Sequence, residues 1–136
     1  MPFVLDASVA VVWHLEDEDS EYSERMLVRL NTEGALAPSI WPMELANVLL
    51  VAERRGRLLR EKVTAALNLS LSLPISVQSV TTEALFNSII DLARNEGLSV
   101  YDATYLDLAM REGLPLATLD TDLRAAALRV GVALAE

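Results

Sequence analysis

The stretch F-V-L-D-A-S, residues 3–8, places a carboxylate at the end of the first apolar run in the chain. Phe3, Val4 and Leu5 read as a buried strand, and Ser8 opens a short helical pattern that reaches Leu15. A charge between a buried strand and a helix is costly unless it is partnered. Asp6 therefore marks either a helix cap or a site.

Outward from that strand, short apolar runs alternate with longer stretches of helical period. The strand candidates are 3–5, A-L-A at 35–37, I-S-V at 75–77, L-A-T-L at 116–119 and V-A-L at 132–134. The helices expected between them run from Ser20 to Thr32, Pro42 to Arg55, Arg60 to Ser72, Thr82 to Asn95, Tyr101 to Arg111 and Thr121 to Arg129. Proline in the first turn of the third helix and Gly56, Gly97, Gly113 and Gly131 beyond the ends of others are boundary signals. The Arg60–Ser72 stretch is ambiguous, because Leu67, Leu69, Leu71, Leu73, Ile75 and Val77 alternate with strand period. Strand and helix in alternation predict an α/β fold with a mainly parallel sheet of about five strands, covered on both faces.

With 136 residues and 52% hydrophobic content the chain is expected to form one domain over 1–136. It has no cysteine, which excludes disulfides, thiolate metal sites and cysteine nucleophiles. The amino terminus lacks a basic region ahead of its apolar run, so a cytoplasmic location is expected. The longest uncharged run, Val63 to Thr82, is too polar to cross a membrane. Nucleotide-binding glycine loops are absent.

Two acids, Asp6 and Asp120, follow predicted parallel strands, whose carboxyl ends line the ligand crevice of such sheets. Two more lie near helix starts beside apolar residues: Glu44 in W-P-M-E-L-A-N and Asp102 in Y-D-A-T-Y. Asp6, Asp102 and Asp120 can each be read as helix caps, whereas glutamate seldom caps. Four carboxylates in one crevice could not all stay ionised without a cation. Oxygen donors alone suit Mg2+ or Mn2+ rather than zinc. Ser8 and Asn47 can orient such ligands or simply cap and fill. His14 and Trp41 read as packed side chains.

Taken in order, L-D-A-S at 5–8, P-x-E-x-x-N at 42–47, Y-D-A-x-Y at 101–105 and L-A-T-L-D at 116–120 resemble the PIN-domain family, specifically VapC-type toxins of toxin–antitoxin pairs. The resemblance implies a three-layer α/β/α domain and a Mg2+-dependent endoribonuclease, with Mn2+ able to substitute. It makes Asp6, Glu44, Asp102 and Asp120 the acidic quartet and Ser8, Asn47 and Thr118 the supporting polar groups; Asp122 is an additional acid near the site and a candidate ligand through water. It also implies an RNA substrate, a small VapB-like antitoxin and a homodimer. A metal-activated water would leave a 5′-phosphate and a 3′-hydroxyl.

The net charge of −9 disfavours a nucleic-acid partner, yet removing the quartet leaves −5. The basic cluster Arg54, Arg55, Arg57 and Arg60 is then the candidate for phosphate contacts. Two other classes compete with the nuclease. A phosphoaspartate domain needs a lysine near a later strand end, and the only lysine is Lys62. A PIN-like binding module without activity would have no reason to gather four acids.

Overall fold

The computed structural model describes residues 1–136. Four strands form a parallel sheet in the order β3-β2-β1-β4: β1 Phe3–Leu5, β2 Ala35–Pro38, β3 Ile75–Gln78 and β4 Leu116–Ala117. Phe3 pairs with Ala35, Val4 with both Leu36 and Leu116, and Leu5 with Ala117. All three residues of β1 are fully buried, as a central parallel strand requires. The expected fifth strand shrinks to one parallel bridge, Leu134 to Leu116. Its pairing is limited to two backbone bonds, Leu116 N–H to the Ala133 carbonyl and Ala135 N–H to the Leu116 carbonyl.

Helices α1 (Ala7–Val12), α2 (Glu21–Glu33), α3 (Ile40–Arg54) and α4 (Arg60–Ser72) connect β1 to β2 and β2 to β3. A helical path then returns across the sheet: α5 (Thr82–Ala84), a π-helical turn (Leu85–Ile89), α6 (Ile90–Glu96) and α7 (Val100–Glu112). Right-handed crossovers in opposite directions put α1–α4 on one face and α5–α7 on the other. This is the three-layer α/β/α arrangement. Helix α8 (Thr121–Arg129) follows β4 and packs on α7.

Helical period wins over strand period in α4. Val63 and Ala66 are buried at helical spacing, whereas Leu69 and Leu71 face solvent. Helix α7 starts earlier than its acid suggests, because the Ser99 hydroxyl accepts the Asp102 N–H at 3.0 Å and takes the cap position. Asp102 thereby lies inside the first turn. Gly34, at φ 74°, ends α2 and turns the chain directly into β2.

The core runs from β1 and β4 into α7, where Ala103 through Ala109 are all buried. Leu106→Ala should cost about 2–5 kcal/mol by leaving a cavity under the sheet. Leu71→Ala, on the exposed side of α4, should change stability by less than about 0.5 kcal/mol. Urea denaturation of the two variants checks the contrast.

Candidate active site

The sheet order reverses between β1 and β4, and the chain places an acid just beyond each of these strands. Asp6 follows Leu5, and its N–H donates to the Ala117 carbonyl at 2.9 Å. Only 5% of Asp6 is exposed. It occupies the position before α1, but its side chain makes no capping bond. Its Oδ2 instead accepts two hydroxyl protons, from Ser8 at 2.6 Å and from Thr118 at 2.7 Å.

Those hydroxyls also fix the loop after β4. Ser8 Oγ accepts the Leu119 N–H and Thr118 Oγ1 accepts the Asp120 N–H, each at 3.0 Å. Asp120 caps α8 with Oδ1, which accepts the Leu123 N–H at 2.8 Å. Its second oxygen is free of that duty, so cap and site membership are compatible.

Glu44 enters from the first turns of α3. Its Oε1 accepts the hydroxyl proton of Tyr105, at 2.5 Å, from a tyrosine with no exposed surface. Asp102 stands one turn before Tyr105 on α7. Asp6, Glu44, Asp102 and Asp120 line one cleft of about 300 Å3 together with Ala7, Ser8, Val11 and Val48. A larger cavity of about 670 Å3 lies elsewhere, between the α1–α2 loop, α2 and α4, and holds none of the four acids.

Burial and mutual repulsion raise three of these carboxyls above the ordinary range. Burial is the main cause at Asp6, with the Asp120 charge adding to it and the Ser8 and Thr118 hydroxyls opposing it. At Glu44 burial again dominates, and the charges of Asp6 and Asp102 add. Asp102 is pushed up to about 6 by burial and by the charges of Asp6, Asp120 and Asp122. Tyr105 is raised by burial and by its bond to Glu44, so it stays a neutral donor.

None of the four acids takes part in a salt bridge. The donors around the cleft are carboxylate and hydroxyl oxygens, the chemistry of a hard divalent cation. The residues therefore fit Mg2+ or Mn2+ by donor type and by uncompensated charge. They are not a preassembled cage, since no three acids form a ready metal cluster. Taking up an ion requires the side chains to draw together.

The remaining candidates scatter. Thr118 and Ser8 join the site, whereas Asn47 is exposed, lies outside the cleft lining and makes no side-chain hydrogen bond. Asn47 stands one turn beyond Glu44 with its side chain open to solvent. Asp122 is exposed, and only its charge reaches Asp102. Arg57 is occupied by Asp17, at 2.9 Å, and by Glu18, at 3.4 Å, which joins the basic cluster to the acidic one. Arg54, Arg55 and Arg60 are exposed, and Arg54 lies ten residues past Glu44 on α3, about 15 Å along the axis. Lys62 lines the larger cavity and is no phosphoryl ligand for the quartet. His14, half-buried with its Nε2 unpartnered, belongs to that same cavity.

Tyr105 is the residue that sequence reasoning passed over. The motif Y-D-A-x-Y contains it, and its three-residue spacing from Asp102 puts both on one helix face.

In protein stripped of divalent ions, native Asp102 holds its proton to about pH 6, while the unfolded chain releases it near 3.8. Across that window the folded state binds more protons, so this group's contribution to stability declines as pH rises. Denaturation in chelator from pH 4 to 7 should show wild type losing stability relative to Asp102→Asn as pH increases. A constant difference between the two would contradict the site's electrostatics.

Residues 3–128 match the profile of the PIN domain family. Over 123 residues the chain is 29% identical to a ribonuclease, VapC3, of Pyrobaculum aerophilum, covering 90% of this chain and 92% of that one. The crystal structure of PAE2754 from Pyrobaculum aerophilum matches with a TM-score of 0.71 at 23% identity, over 93% of this chain and 79% of the other. That of Mycobacterium tuberculosis VapC20, a sarcin-ricin loop cleaving toxin, matches at 0.67 and 18% identity, over 91% and 94%. Both structural likenesses concern the fold.

Proposed function

The chain belongs to the PIN-domain family, and from that premise we propose that it is a VapC-like endoribonuclease, dependent on Mg2+ or Mn2+, acting as the toxin of a toxin–antitoxin pair. The observation that carries the proposal is the gathering of Asp6, Glu44, Asp102 and Asp120 around one cleft with no cationic side chain to offset them. Such an arrangement weakens the fold unless a cation completes it. The likeness to the VapC3 ribonuclease supports RNA as substrate.

A bound divalent ion would supply charge for the scissile phosphate and a water acidified enough to attack it near neutral pH. This chain's residues do the rest. Ser8 and Thr118 both donate to Asp6 Oδ2 and hold the carboxylate in one orientation, in which Asp6 would help to hold the ion. Asp120 keeps one oxygen on the α8 cap, which holds its position in the loop. Asp102, from the first turn of α7, and Glu44, from α3, would complete the carboxylate set that holds the ion. No side chain in the cleft is needed as a nucleophile.

The second reading, a PIN-like module that binds a partner without cleavage, draws on the lack of a preassembled metal cluster. Activity separates the two. Purified wild type should cleave cellular RNA in Mg2+ or Mn2+, and EDTA should stop it. Each of Asp6→Asn, Glu44→Gln, Asp102→Asn and Asp120→Asn should lower the rate by about 100-fold or more, the scale seen when a charge-stabilising group is lost. Inactive wild type, or full activity in Asp6→Asn, would defeat the nuclease reading.

The toxin reading brings a small antitoxin and a homodimer with it. Exposed apolar side chains at Met43, Phe86 and Tyr101 supply surface for protein contacts. The exposed arginines 54, 55 and 60 are proposed as phosphate contacts, with Arg57 held by its acidic partners. Changing the three to glutamine should weaken RNA binding and reduce its salt dependence by up to about three charges' worth of slope. Filter binding across a salt series checks this, and an unchanged slope removes the cluster from the interface.

A further inference from the structure

We infer that Tyr105 is a positioning residue for the metal site: its buried hydroxyl fixes Glu44 through one oxygen and leaves the other for the cation. The inference rests on the metal-dependent reading above and adds a residue to it.

Tyr105 has no exposed surface and belongs to the main core, so its ring is held by packing on every side. A phenol has one proton to give, and here it goes to Glu44 Oε1 at 2.5 Å, across sixty-one positions of sequence. Glutamate otherwise carries considerable rotamer freedom. A rigid donor on α7 removes much of that freedom from a carboxylate on α3.

The same helix carries Asp102 one turn earlier. The bond therefore sets the distance between two elements that each contribute an acid to the cleft. The other side of the site has the same construction. Ser8 and Thr118 both donate to Asp6 Oδ2, so Oδ1 takes neither hydroxyl. In both acids hydroxyl donors occupy a single oxygen. A tyrosine that merely filled the core would gain as much from a backbone carbonyl and would leave Glu44 free to swing.

The test is a Mn2+ titration by calorimetry on wild type, Tyr105→Phe, Glu44→Gln and the double variant, with unfolding in chelator run alongside. Tyr105→Phe keeps the ring and should unfold cooperatively, yet bind Mn2+ about 10- to 100-fold more weakly, the usual effect of losing a group that orients a ligand. In the Glu44→Gln background the same change should cause no further loss, because the hydroxyl acts through Glu44. Wild-type affinity in Tyr105→Phe, an equal further loss in the double variant, or a Phe variant that no longer folds would each overturn the inference. No Mn2+ uptake by wild type would overturn the metal reading itself.

Discussion

The structure turns on a carboxylate where a parallel sheet least tolerates one. Asp6 sits at the end of the central strand with 5% of its surface exposed and no cation beside it. Two hydroxyls make this possible. Thr118 and Ser8 donate to the same oxygen, and both then accept backbone N–H groups from the loop after β4. The network ties the ends of β1 and β4 together at the point where strand order reverses. Asp120 is placed by that same loop, so the acid of one strand fixes the acid of the next.

A second tie crosses from α3 to α7. Tyr105 reaches Glu44 from the core, and Asp102 follows from the same helix. The four acids are thus set by two strand ends and two helices, each held by ordinary core packing at its base. What the packing does not do is neutralise them. Burial and neighbouring charge push Asp6, Glu44 and Asp102 upward, which means that the native fold holds these groups in their charged form only at a cost. Sites that work by binding a counter-ion commonly trade stability in this way.

Much of this arrangement could be read from residue order. The alternation of F-V-L, A-L-A and I-S-V with helical stretches required a parallel sheet, and parallel strands put Asp6 and Asp120 at one edge of it. Helix ends at Gly97 and Gly113 followed from local chemistry, and both glycines adopt the left-handed conformation. Contacts between distant segments left weaker traces. The hydroxyl pairing of Thr118 with Asp6 and the Tyr105–Glu44 bond depend on side-chain direction, which no periodicity encodes. Asn47 shows the converse: a motif position near the acid in sequence, which the helix turns out to solvent. Arg57 looked like part of a basic surface until the fold set it against Asp17 and Glu18. The fifth strand is present only as the parallel bridge from Leu134 to Leu116.

On the metal-dependent reading proposed above, Asp6, Glu44, Asp102 and Asp120 would draw together around divalent metal while Ser8, Thr118 and Tyr105 keep their hydrogen bonds. Crystals grown with manganese and measured at its absorption edge test this most directly. The expected result is anomalous density in this cleft within bonding distance of carboxylate oxygens from Asp6, Glu44, Asp102 and Asp120, with Ser8 and Thr118 still on Asp6 Oδ2 and Tyr105 still on Glu44 Oε1. No anomalous density in this cleft at millimolar manganese, or an ion bound there with Asp6 released from Ser8 and Thr118, would contradict it.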